Sequence, residues 1–156
     1  MNEILTQTIS ILKAGGPRTT VLESVLHAVL KPFNSETGTI HRLDVATQLL
    51  HLVVQAGLPP QMLAIVQTIP VGKGIAGETS AKSLPVTICN LQTDTGGVAK
   101  PAAKQTGVGG ALCVPIFADG KTVGTFGIGT RREHEYSAAE INLLSDVARL
   151  IAPQVA

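Results

Sequence analysis

The chain has 156 residues, of which 44% are hydrophobic and 15% charged, with a net charge of +1; that is enough apolar material for one core and excludes a disordered polyelectrolyte. Scattered Lys and Arg, with three Phe, one Tyr and no Trp, leave neither the basic footprint nor the stacking surface of a nucleic-acid binder. No apolar run approaches the ~20 residues of a membrane span, Met1-Asn2-Glu3 carries no basic leader, and two cysteines, Cys89 and Cys113, make no disulfide framework, so a cytoplasmic setting is expected.

Leu5, Ile9 and Leu12 recur at helical spacing within 3–13, and Ala14-Gly15-Gly16-Pro17 ends that helix. A second helix is predicted over 18–31, where Val21, Leu22, Val25, Leu26, Val29 and Leu30 form a wide stripe with His27 off it. Pro32 stops it, because the residue before a proline avoids the α region. Gly38–Leu43 and Gln48–Val54 read as short strands across a turn at Asp44–Thr47. Strict alternation puts Leu50, Leu52 and Val54 on one face of the second strand and Leu49, His51 and Val53 on the other. Gly57 and Pro59-Pro60 break it, and a short helix follows over 60–67 with proline in its first turn. Next come the glycine loop of residues 70–77, a helical turn over Glu78–Ser83 and a strand over Val86–Leu91. Residues 92–107, rich in Gly, Thr and Ala, read as a loop with a ragged helix and as the most mobile region. Near the end, Ser137 and Glu140 form a capping box. The helix it opens, 137–153, carries Ile141, Leu143, Leu144, Val147, Ala148, Leu150 and Ile151, more apolar surface than one contact with a sheet requires. No repeat or linker divides the chain, so one domain over 1–156 is expected.

The strongest local signal is Asp119-Gly120 between two apolar, β-branched runs, which predicts a hairpin with a type I′ turn. Counting outward pairs Phe117 with Thr122, Ile116 with Val123, Cys113 with Phe126 and Leu112 with Gly127. One face then carries Ala111, Cys113, Pro115, Phe117, Phe126 and Ile128. The other carries Leu112, Val114, Ile116, Val123 and Thr125, with Gly127 and Gly129. Both faces are apolar, so both must be covered. Pro115 lacks an N–H and by the general rule marks an edge strand or a bulge.

The order of these signals resembles a GAF domain. The resemblance rests on Leu52-Val53-Val54-Gln55-Ala56-Gly57-Leu58, Ile69-Pro70-Val71-Gly72-Lys73-Gly74-Ile75-Ala76-Gly77, the hairpin with Leu112-Cys113-Val114-Pro115-Ile116 and Val123-Gly124, and Tyr136-Ser137-Ala138-Ala139-Glu140. It covers the chain from Leu22 onward. It implies an α+β, PAS-like fold: a central antiparallel sheet of about six strands with terminal helices on one face. The other face would support a ligand pocket closed by the 59–83 segment, and Pro115 would sit at an irregularity in an inner strand.

The residues and the resemblance together define the site expectations. Gly72-Lys-Gly74-Ile-Ala-Gly77 matches G-x-G-x-x-G, with Asp94 near the spacing of a ribose-binding acid. Pro59, Pro60 and Pro70 spoil the strand a dinucleotide site needs, however, and the next strand comes too soon for a crossover helix. A tight turn whose amides face an anion or polar atom suits the sequence better, and a mere packing turn remains the alternative. His41 and His51 lie on adjacent strands without a carboxylate or thiol at ligand spacing, so no metal is expected. Ser137 is explained by capping, and no catalytic constellation stands out. The resemblance disfavours several subfamilies. Free-methionine-sulfoxide reductases carry a loop cysteine where this chain has Ala76, and a methyl group is no nucleophile. Bilin binders attach chromophore to a Cys commonly followed by His, whereas Asn90 follows Cys89 and Val114 follows Cys113. The Asn-Lys…Phe-x-x-x-Asp-Glu pattern of cyclic-nucleotide binders is absent. The expectation is a sensory module without a cofactor that binds an unidentified small molecule, such as the nitrate that some stand-alone members hold through backbone amides. It would act on a signalling partner or through a homodimer of its terminal helices; a structural or dimerisation module without ligand is the alternative, and an enzyme is the third and least favoured reading. The expected ligand residues are Thr68, Gly72, Gly74, Ile75, Ala76, Gly77 and Thr79, with either Cys113 and Phe126 or Thr125 beside Gly127 from the hairpin.

Overall fold

The computed structural model describes residues 2–90 and 109–156. These form α1 (Glu3–Ala14), α2 (Arg18–Leu30), β1 (Thr37–Asp44), β2 (Leu49–Ala56), α3 (Pro60–Val66), β3 (Thr68–Pro70), α4 (Gly74–Lys82), β4 (Val86–Ile88), β5 (Ala111–Ala118), β6 (Lys121–Gly129) and α5 (Ala138–Val155). The six strands make one antiparallel sheet in the order β3-β2-β1-β6-β5-β4. The loop and ragged helix expected over 92–107, Asp94 included, lie outside the described residues.

Local chemistry sets the helix ends. The Asn2 side chain accepts from the Ile4 amide at 2.8 Å, and the chain leaves α1 through Gly15 and Gly16, both at positive φ. At α5 the expected capping box is complete: the Ser137 hydroxyl accepts from the Glu140 amide, and the Glu140 carboxylate from the Ser137 amide. The α5 helix runs two residues past the expected 153, carrying Pro153 in its last turn.

α2 and α5 cover one face of the sheet, with α1 packed on both. Leu22, Val25, Leu26, Leu144, Val147 and Ile151 meet Ile40, Leu112, Val114, Ile116, Phe126 and Ile128 there, in one continuous cluster. Each such side chain contributes roughly 1.5–3 kcal/mol through burial. Val147 therefore faces inward, and Leu150 is only partly buried.

Two bulges decide which residues face where. Asp119 and Gly120 have φ of 52° and 74°, as the type I′ turn requires. Phe117 pairs with Thr122 as counted, but Ile116 then pairs with Gly124, Cys113 with Gly127 and Leu112 with Ile128. Val123 is the extra residue, and every β6 side chain beyond it changes face relative to the count. Phe126 and Ile128 thus join Leu112 and Val114 under the helices, while Cys113 shares its face with Thr125 and Gly127. In the β1–β2 pair Ile40 opposes Val54 but His41 opposes Leu52. Leu50 and Val54 consequently part: Val54 enters the helix-side core, and Leu50 packs with Ala76 and Cys113.

Pro115 lies on an inner strand near an irregularity, as the resemblance implies, rather than on an edge strand or at a bulged position, since it pairs in register with Thr125. β5 lies between β4 and β6, so it is an inner strand, and a bulge sits one residue beyond Pro115. β4 pairs with β5 only from Ala111 to Cys113, so Pro115 lies past the end of that neighbour. Further elements differ from the residue-level prediction: β4, expected over Val86–Leu91, spans Val86–Ile88. β3 is a three-residue strand on the edge beside β2, and α4 begins at Gly74 rather than Glu78, making the glycine loop its first turn.

Candidate functional site

α4 packs on β5 and β6, opposite the terminal helices. Its entry is a self-closed turn. The Gly72 amide donates to Gly77 O at 2.8 Å, the Lys73 amide to Pro70 O at 3.1 Å and the Gly77 amide to Lys73 O at 3.1 Å. Two of the amides expected to face a ligand, those of Gly72 and Gly77, are therefore spent on the turn itself. Lys73 is the N-cap and gives no side-chain cap, so the first-turn donors are the amides of Gly74, Ile75 and Ala76. A Cβ on Gly77 would lie 2.5 Å from Pro70 O, so only glycine lets the turn close onto the helix. Gly74, at φ +64, has open space around it.

The structure brings some of the expected residues together and separates others. Ile75 and Ala76 pack with Leu50 and Cys113. Thr79 is fully buried and donates its hydroxyl to Ile75 O at 2.7 Å. Cys113 lies beside Thr79 and Thr125, and burial pushes its thiol up to about 11. Thr125 is fully buried, and its Oγ1 finds no hydrogen-bond partner. Thr68 does not join: it is exposed on β3, paired with His51 at the sheet edge. Phe126 does not join either, because the Val123 bulge turns it into the helix-side core.

His41 is the residue that the sequence reading underrated. It lies opposite Thr125 on β6 and Leu52 on β2, 1% exposed, whereas His51 pairs with Arg42 and is exposed. His41 and His51, although on adjacent strands, therefore do not share a face. His41 Nε2 is 2.8 Å from Val66 O. A carbonyl only accepts, so Nε2 carries the proton and Nδ1 is left as an acceptor. Burial, more than the nearby His51, holds its pKa below 6.5 and keeps the ring neutral. Nδ1 is buried without a partner, as is Ser80 Oγ on α4. The only sequence signal was a histidine next to Ile40 in a short strand pattern.

Among the described residues, no charged side chain joins the cluster. Lys73 is exposed, and Glu78 pairs with Lys82 at 2.9 Å along the outer side of α4. Among the described residues no three His, Cys, Asp or Glu side chains come close enough to hold a metal.

The free methionine-R-sulfoxide reductase of Neisseria meningitidis, solved with its substrate, superposes with a TM-score of 0.81 at 17% identity, covering 98% of this chain and 86% of that one. The GAF domain of a Coxiella burnetii phosphoenolpyruvate-protein phosphotransferase gives 0.83 at 17% identity, covering 98% and 90%. Its Acinetobacter counterpart gives 0.82 at 15%, covering 98% and 90%. Among curated proteins none matches this sequence. The sequence itself matches the GAF domain family over residues 17–153. With that match spanning most of the chain, and with a six-stranded antiparallel sheet covered by terminal helices on one face and α4 on the other, the chain belongs to the GAF domain family.

Proposed function

We propose that the chain works as one domain, 1–156, a cytoplasmic small-molecule-binding regulatory module acting on a signalling partner or through its own dimer. The observation that carries this reading is the set of buried, unpaired polar atoms on the α4 side: His41 Nδ1, Thr125 Oγ1 and Ser80 Oγ. Each costs about 1–3 kcal/mol while unpaired, a cost that a bound ligand would remove. The first-turn amides of α4 give a small anion a second point of attachment. Partly buried Leu5, Leu12, Leu143 and Leu150 on the terminal helices support the dimer. Two free cysteines fit a reducing compartment, and no helix among the described residues is long and apolar enough to cross a membrane.

Catalysis is not part of the proposal, although some structural neighbours are reductases. Ala76 stands where those enzymes carry a loop cysteine, and the buried Cys113 thiol stays protonated at neutral pH. A structural module is the second reading, favoured by the Leu50–Ala76–Cys113 contacts that fill part of the α4 face. Native mass spectrometry of the purified protein, set against its denatured mass, tests both. A dimer with a stoichiometric excess mass is expected, and a ligand-free species would favour the structural reading.

A further inference from the structure

We propose that His41 and Thr125 are the recognition point of this site, and that its ligand is an uncharged molecule presenting an N–H or O–H donor. The inference rests on the binding reading above and narrows it from any small ligand, anions included, to one chemical class.

The geometry of His41 leaves little freedom. Its Nε2 proton is committed to Val66 O at 2.8 Å, so the ring is anchored to the end of α3 and the Nδ1 lone pair is buried without a partner. Thr125 lies directly opposite on the neighbouring strand, where side chains of such a pair start ~4.5–5.5 Å apart. Its hydroxyl is a rotor that can donate or accept. Thr79 has spent its proton on Ile75 O, so it too offers only lone pairs. What converges here is one fixed acceptor, His41 Nδ1, with the Thr125 and Ser80 hydroxyls, which can donate or accept, and the protonated Cys113 thiol.

Charge narrows the class. Lys73 and the Glu78–Lys82 pair lie on the outer side of α4, and among the described residues no carboxylate appears in the cluster around Cys113. A cation would be buried without a counter-charge. An anion would meet the lone pair of His41 and require the ring to take a proton against its burial. A neutral donor satisfies Nδ1 with no change of protonation. An anchoring role for His41 would explain Nε2 but not the paired orphans Nδ1 and Thr125 Oγ1.

The test uses an isosteric pair, 2-pyrrolidone and cyclopentanone, which differ by an N–H against a CH2. Both are titrated into 15N-labelled protein while the His41 Nδ1 resonance is followed, with nitrate as the anionic arm. The expected result is a saturable shift with 2-pyrrolidone and at least about tenfold weaker response to cyclopentanone, the factor that ~1.4 kcal/mol represents. Thr125→Val should weaken the 2-pyrrolidone response and raise the Tm of the ligand-free protein, since it deletes an unpaired hydroxyl. Equal responses to the two rings, or no shift of Nδ1 with 2-pyrrolidone, overturn the inference. A Thr125→Val protein of lower Tm with an unchanged 2-pyrrolidone response overturns it as well, by making the role one of packing. Nitrate bound with Nδ1 unmoved, and no response to 2-pyrrolidone, would overturn it while leaving the binding module standing.

Discussion

Under α2 and α5 the sheet presents Ile40, Leu112, Val114, Ile116, Phe126 and Ile128; under α4 the same strands present His41, Cys113 and Thr125 with Leu50. Buried hydroxyls on or beside the first face find carbonyls: Thr8 bonds Ile4 O at 2.8 Å and Thr130 bonds Arg132 O at 2.7 Å. Tyr136 is the exception there, its OH buried without a hydrogen bond and its ring edge-on to His134. The α4 side holds the other three unpaired buried atoms of the described residues. One face is thus close to a finished core, and the other keeps polar capacity in reserve. That division is what a domain needs if it is to stay folded while part of it remains free to bind.

The comparison breaks most sharply at Phe126. Phe126→Ala should cost about 3–5 kcal/mol, read by urea denaturation, because the ring fills the helix-side core. A change in ligand affinity larger than the change in stability would return Phe126 to the α4 face.

A smaller effect separates two glycines of one turn. Gly77→Ala drives a Cβ against Pro70 O, backbone that cannot swing aside, and should cost about 1–3 kcal/mol by thermal unfolding. Gly74→Val meets no atom within 4 Å, so its cost comes from φ +64 alone, about 1–2 kcal/mol. Both should lower ligand affinity, since both disturb the first turn of α4. A Gly74→Val protein with unchanged stability and affinity would show that this turn does not serve the site.

The smallest expected effect concerns pH. His41 titrates below its ordinary 6.5 when folded, so the unfolded chain binds the proton more readily. Stability should therefore fall as pH drops from about 6.5 toward the lower folded value and level off beneath it. His41→Gln, which keeps a donor for Val66 O, should flatten that window in denaturation curves taken across pH. A slope identical to that of the parent chain would show that His41 is not held neutral.

Much of this was legible in the residues. The stripe from Val21 to Leu30, the Ser137–Glu140 box and the Asp119-Gly120 turn are local patterns, and each formed where local chemistry places it. The glycine loop was legible as a turn, though not as the first turn of α4. Thr79 and Cys113 met as expected, whereas Phe126 and Thr68 did not. His41 escaped because its value depends on Val66 O, which α3 brings from 25 residues away.

The sequence by itself determined the helices, the hairpin turn, the apolar character of both sheet faces and the ordered signals that mark the family. Those follow from side-chain periodicity, turn φ angles and caps, all read within a few neighbouring residues. Tertiary structure alone decided which residues look toward α4. Val53 and Val123 are single unpaired residues in otherwise regular ladders, and each reverses the alternation beyond it. Whether a residue is bulged is settled by hydrogen bonding between strands, and in β1–β2 and β5–β6 nothing in the local pattern of two-sided apolar residues resists the slip.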